Sequence, residues 1–128
     1  MGSNQNHLQI IKNYISAYNT FDIERMLQDF NDEIYFENVH NGQVNLQTSG
    51  IAEFKKQAEI AKTLFKEREQ KIIDIKFEDN MAQVRIDFTA ILSDDPANGS
   101  QAGAALNMSG DSVFVFEDGK IVQITDRS

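Results

Sequence analysis

The spacing of apolar residues changes once along this 128-residue chain, and that change restricts the fold more than any single residue does. Leu8, Ile11, Ile15 and Tyr18 recur at three- and four-residue steps, with Ile10, Tyr14, Ala17 and Phe21 widening the stripe, which predicts a helix over residues 5–20. From Lys71 onward the step becomes two. Ile73, Ile75 and Phe77 alternate with polar residues, Asp79-Asn80 turns the chain, and Ala82, Val84, Ile86, Phe88, Ala90 and Leu92 alternate again. A helical first half and a stranded second half predict an α+β domain.

The segment between follows from turn and cap chemistry. Asp22 is an N-cap for a second helix with Glu24 in its first turn and Met26, Leu27 and Phe30 as its apolar side, ended by Asn31-Asp32. Ile34 to Val39 reads as a strand, and Asn41-Gly42 within His40 to Gln43 favours a tight hairpin into a short strand from Val44 to Gln47. Thr48-Ser49-Gly50 offers the cap of a third helix that buries Ile51, Phe54, Ala58, Ala61, Leu64 and Phe65 and leaves Lys55, Lys56, Lys62 and Lys66 solvated. After a loop from Ser93 to Gly103, a long strand runs from Ala104 to Glu117, then an Asp118-Gly119 turn and a last strand from Lys120 to Thr125. Residues 1–128 thus form one domain, with three N-terminal helices packed on a curved, mostly antiparallel sheet.

The facing of the long strand has two readings. If Asp111, Val113 and Val115 point to the helices, then Phe114 and Phe116 point away with Met108, Leu106 and Ala104. An apolar outer face of that kind predicts a homodimer through the sheet. The alternative is a bulge at Gly110 that turns Met108 and Leu106 inward.

Composition removes several function classes. A net charge of −8 opposes binding to phosphate backbones and anionic membranes. The chain has no cysteine and only His7 and His40, so neither a thiolate nucleophile nor a cysteine- or histidine-rich metal site is available. No metal or cofactor is expected. No stretch approaches the ~20 apolar residues of a membrane span, and a soluble cytoplasmic protein is the expectation.

The order of helix, helix, acidic strand, hairpin, helix and meander resembles the nuclear transport factor 2-like superfamily, with its cystatin-like cone shared by SnoaL-like proteins, polyketide cyclases and ketosteroid isomerases. The resemblance to ketosteroid isomerase runs through Asn19, Asp22, Phe30, Asp32, Glu37, Gly50, Ile51, Glu53 and Phe54, and through the last hairpin from Asp111 to Ile121. It implies a site in which a tyrosine and a protonated aspartate donate hydrogen bonds to an enolate while a carboxylate shuttles the proton. By this resemblance Tyr14 stands at the tyrosine position, Asp111 at the donor aspartate and Asn38 at the base. A carboxamide has no usable basicity, so a general-base contribution of about 10²–10⁴-fold is missing. Glu37 is adjacent to Asn38 and points to the opposite strand face.

Two readings of Tyr14 and Asp111 stay open: a site pair, or a core tyrosine and a buried aspartate bonded to its surroundings. With Phe36, Phe54, Ile86, Phe88 and Val113, the group of Tyr14, Asn38 and Asp111 would line an apolar pocket holding a few polar groups. The first functional expectation is therefore a protein that binds a small apolar ligand and is not a working ketosteroid isomerase. The second is an isomerase, cyclase or dehydratase that uses Asp111 or His40 as acid or base. The third is a protein-interaction domain whose cavity is filled by side chains.

Overall fold

The computed structural model describes residues 2–128, with side chains from residue 4 onward. Helix α1 (Gly2–Asn19) buries Ile11, Tyr14, Ile15 and Ala17, the stripe read from its periodicity. It stops where Phe21 takes a positive φ of 60°, a turn that brings the Asp22 amide to the Ala17 carbonyl at 2.9 Å. Asp22 then caps α2 (Ile23–Leu27), its carboxylate accepting from the Arg25 amide at 3.2 Å. This helix is shorter than predicted. Phe30 is the first residue of strand β1 (Phe30–His40), opposite Ile121 of strand β6 (Lys120–Arg127), and the tertiary pairing overrides the helical spacing of Met26, Leu27 and Phe30.

β1 and β2 (Gln43–Ser49) form the expected hairpin, with Asn41 and Gly42 at φ 52° and 79°, the left-handed pair its tight turn requires. Helix α3 (Ile51–Thr63) starts at Gly50, whose φ of 88° suits glycine. Glu53 accepts from the Ser49 amide at 2.9 Å and ties the end of β2 to the first turn of α3. Strand β3 (Phe65–Glu78) begins six residues earlier than Lys71. Its first part, Phe65 to Gln70, is dense in charge and carries no apolar alternation, yet it pairs with the end of β4 (Met81–Leu92). A register shift between Ile72 and Asp74 leaves Ile73 half exposed, so Ile72, Ile75 and Phe77 pack against the core in place of the predicted set headed by Ile73.

With β5 (Ala105–Glu117) the six strands lie in the order β2-β1-β6-β5-β4-β3, and only the β1–β6 pair is parallel. The helices cover one face, which makes the α+β architecture the expected one.

The facing of β5 is reversed from the first expectation. Ser112, Phe114 and Phe116 are buried on the helix side, whereas Asp111, Val113 and Val115 lie on the outer face. Pairing with β4 runs unbroken from Met81↔Val115 to Ile91↔Ala105, so no bulge occurs at Gly110, and Leu106 and Met108 share the inner face with Phe114. Two phenyl rings gain more from leaving water than two valines, at about 25 cal/mol per Å² buried, and the helices offer the cover. The outer face of β4 and β5 consequently carries Gln83, Arg85, Asp87, Thr89, Ser109 and Asp111 beside Val113 and Val115, and Phe114 and Phe116, two of the residues on which the homodimer expectation rested, are inside the domain, whereas Met108 stays exposed. Among the described residues no helix is long and apolar enough to cross a membrane.

Candidate active site

Between the inner sheet face and the C-terminal end of α1 lies an open cavity of about 290 Å³, walled by Tyr18, Asn38, Phe65, Gln70, Ile86, Phe88, Leu106, Met108, Ser112 and Asp126, with Ser109, Gly110, Asp111, Arg127 and Ser128 completing its lining. A cleft of about 380 Å³ on the outer face is bounded by Asp74, Lys76, Gln83, Arg85 and Asp111 and lacks the apolar lining that holds small molecules. The inner cavity has a mostly apolar surface, with polar groups from Tyr18, Asn38, Gln70, Ser112 and Asp126 set into it.

Asp126 is the inward-facing acid of the cavity. It faces Ser112 across the β5–β6 pair and Asn38 across the β1–β6 pair. Ser112 donates to its Oδ1 at 2.6 Å. Burial raises the carboxyl strongly, the Ser112 bond opposes the rise, the charge of Asp111 adds to it, and the result is a pKa of about 6. Such a carboxyl exchanges a proton close to neutral pH, which is what general acid or base work needs.

Two tyrosines of α1 stand one turn apart beside this acid. Tyr14 is buried, 5.7 Å from both Phe30 and Phe114, and burial holds its hydroxyl well above the ordinary tyrosine range, with the negative charge of Asp126 adding to the effect. Tyr18 reaches about 12, chiefly through burial, with Arg68 opposing and Asp126 adding. Both phenols are therefore neutral donors at neutral pH, and Tyr18 is the one in the cavity wall.

Arg68 ties β3 to α1. Its Nε donates to the Tyr18 carbonyl at 2.9 Å, and its guanidinium lies 3.7 Å over the Tyr18 ring and 4.5 Å from that of Phe21. The negative end of the α1 dipole and the ring faces stabilise the cation there. Asn19 pairs with the backbone of Gln70 in both directions, at 3.1 and 2.7 Å. These bonds position Tyr18 and Gln70 on the cavity wall.

The predicted site residues are only partly brought together. Asn38, Ile86, Phe88 and Asp111 line the cavity, and Asn38 donates to Asn45 Oδ1 at 2.8 Å. Tyr14 lies in the core beside the cavity. Phe36 and Phe54 belong to the packed core, with Phe54 4.8 Å from Phe30 and 5.5 Å from Phe36. The side chains of Asp111 and Val113 face outward, and Asp111 accepts from Gln83 at 2.7 Å and from Arg127 at 2.9 Å. His40 is exposed, 3.1 Å from the Ser128 hydroxyl. His40 is thus a surface group, whereas Asp111 borders the cavity from the outer side of β5 with its carboxylate engaged by Arg127, and Asp126 is the acid that faces into it.

Sequence reasoning missed Asp126 because the last strand was ended at Thr125. The pairing of β5 with β6 shifts between Val115 and Phe116 and leaves Val122 without a partner, so Ile121, Ile124 and Asp126 all face inward. The spacing of Ile121 and Ile124 by three, in a strand, was the available signal of that bulge. Ser112 and Arg68 were missed for related reasons of facing and of strand start. Among the described residues no group of three or more His, Cys, Asp or Glu side chains could hold a metal ion.

Comparison with known proteins places this geometry. The sequence profile described as SnoaL-like domain matches residues 11–124. Among solved structures, a candidate polyketide cyclase from Xanthomonas campestris pv. campestris superposes with a TM-score of 0.85 at 16% identity, over 98% of this chain and 92% of that one. An uncharacterised cystatin-fold protein from Novosphingobium aromaticivorans gives 0.76 at 19% identity, over 93% and 95%. An LEH-like epoxide hydrolase of M. tuberculosis gives 0.76 at 15% identity, over 96% and 82%. No curated protein sequence matches significantly. At these identities the structural likeness carries the fold alone.

Proposed function

Because this chain belongs to the SnoaL-like family of the nuclear transport factor 2-like superfamily, we propose that it binds a small, largely apolar molecule bearing a carbonyl or phenolic oxygen and moves a proton at Asp126. The observation that supports this reading is the carboxyl of Asp126, held by Ser112 in the wall of an apolar cavity and poised at about 6. Its proton can be given to a ligand oxygen or taken from a ligand C–H or O–H, and Tyr18 donates to an oxygen on which charge develops. Cyclisation and epoxide opening, the activities in the names of two structural relatives, are the candidate reaction classes. A cavity of about 290 Å³ weighs against the reading in which side chains fill the cone.

The test is calorimetric binding of 2-naphthol between pH 5 and 8. A phenol donates more strongly to a carboxylate than to a carboxylic acid, so affinity for the wild type should rise as pH passes about 6. The rise should vanish in Asp126→Asn and persist in Asp111→Ala. No binding, or a profile that follows Asp111, would overturn the assignment.

A further inference from the structure

Two buried polar atoms on β3 have no partner among the described residues: Nη2 of Arg68 and Oε1 of Gln70. They belong to alternate residues of one strand, so both side chains point to the helix side, and Arg68 is only 6% exposed. Its Nε is used by the Tyr18 carbonyl, and the structure gives the guanidinium aromatic faces in place of a carboxylate. The two ion pairs among the described residues, Lys55–Glu24 and Arg127–Asp111, lie elsewhere. A buried guanidinium without an anion is costly, and a buried amide end without a partner adds to the cost. Groups left in this state inside a fold are completed by water or by a ligand.

The surroundings favour a ligand. Gln70 lines the cavity together with Tyr18 and Phe65, and Arg68 lies 3.7 Å and 5.8 Å from those two rings. Phe88 packs edge-on to both, at 6.3 Å from Tyr18 and 6.0 Å from Phe65. This end of the cavity is therefore an aromatic box against whose Tyr18 ring the buried Arg68 cation lies, itself in the wall of the adjoining cavity that shares Leu106, whereas Asp126 and Asn38 lie on β6 and β1.

We propose that Arg68 and Gln70 form a second, anion-binding subsite, so that the ligand of this cavity is bipolar: a carbonyl or phenolic oxygen at Asp126 and a carboxylate at Arg68. The proposal rests on the reading of Asp126 given above and adds the substrate class. Arg68 Nη2 donates to one carboxylate oxygen. The Gln70 amide, turned by half a rotation so that its N–H₂ end replaces Oε1, donates to the other. Nη2 is closed to water, so the acid reaches it by moving a neighbouring side chain aside. The aromatic walls then hold the flat body of the ligand.

Three probes separate this proposal from the one it rests on: 2-naphthol, 6-hydroxy-2-naphthoic acid and 6-hydroxy-2-naphthamide, measured by calorimetry at pH 7.5. The acid should bind the wild type at least tenfold more tightly than the isosteric amide. That ratio should fall below about twofold in Arg68→Met and by at least threefold in Gln70→Leu. Should Arg68→Met fail to fold once its bond to the end of α1 is lost, the ratio in Gln70→Leu decides alone. An acid that binds no better than the amide overturns the subsite, as does an advantage that survives in the folded variants; 2-naphthol binding then still stands for the Asp126 reading. Failure of all three probes to bind overturns both.

Discussion

Ser112 and Asp126 face each other across β5 and β6, joined by a 2.6 Å bond from the serine hydroxyl to the carboxylate. The bond favours the ionised acid and opposes the burial that pushes it up. Ser112→Ala removes the donor and keeps the backbone pairing. The carboxyl should then titrate at higher pH than in the wild type, as read by carbon NMR of Asp126, and the pH at which 2-naphthol binding rises should move the same way.

Asp126 also makes stability depend on pH. Its value in the fold, about 6, lies above its ordinary 3.8, so its contribution is fully present below 3.8 and is lost as pH rises through about 6. A shift of about two units corresponds to roughly 3 kcal/mol. Asp126→Asn should therefore be more stable than the wild type at pH 7.5, by up to ~3 kcal/mol, and nearly equal to it at pH 3.5. Urea unfolding at the two pH values checks this, and a variant less stable at pH 7.5 would contradict it.

His7 acts in the opposite sense. It is 9% exposed, stacked 3.8 Å from the Phe116 ring at an interplanar angle of 6°, and burial lowers its pKa below 6.5. Above 6.5 the ring is neutral in both states. As pH falls further, the unfolded chain takes up the proton first and stability drops. His7→Phe keeps a ring against Phe116 and removes the titration. Between pH 7.5 and 5 the variant should gain stability relative to the wild type, a difference from which the Asp126 effect cancels.

Gly110 is set by close approach. A Cβ there would collide with the carbonyl oxygen of Arg127, a backbone atom that cannot swing aside as a side-chain end would. Gly110→Ala should cost about 1–3 kcal/mol in urea unfolding, the usual range for overpacking. The separation of β5 from β6 should also weaken 2-naphthol binding through a displaced Asp126, whereas a neutral result would mean that the end of β6 is free to move.

Arg68 and Phe65 illustrate what remained illegible. Phe65 to Gln70 carries the charges of a solvated helix face, and only its pairing with β4 makes it a strand. The tip at Asn41-Gly42 and the cap at Asp22 were legible, because steric limits on φ and a side chain reaching its own helix start act within a few residues. The resemblance likewise gave the correct superfamily while aligning its acid with the outward-facing Asp111.

By itself the sequence determined the order of helices and strands, the places of the hairpin turns and the buried stripe of α1, since period and turn chemistry are local. Tertiary structure alone decided which face of β5 the helices cover, and it placed Asp126 in the cavity. An alternating strand has two equivalent faces until the rest of the domain covers one. The unpaired Val122 in β6 then puts Ile124 and Asp126 inside, and with them the acid on which the proposed chemistry depends.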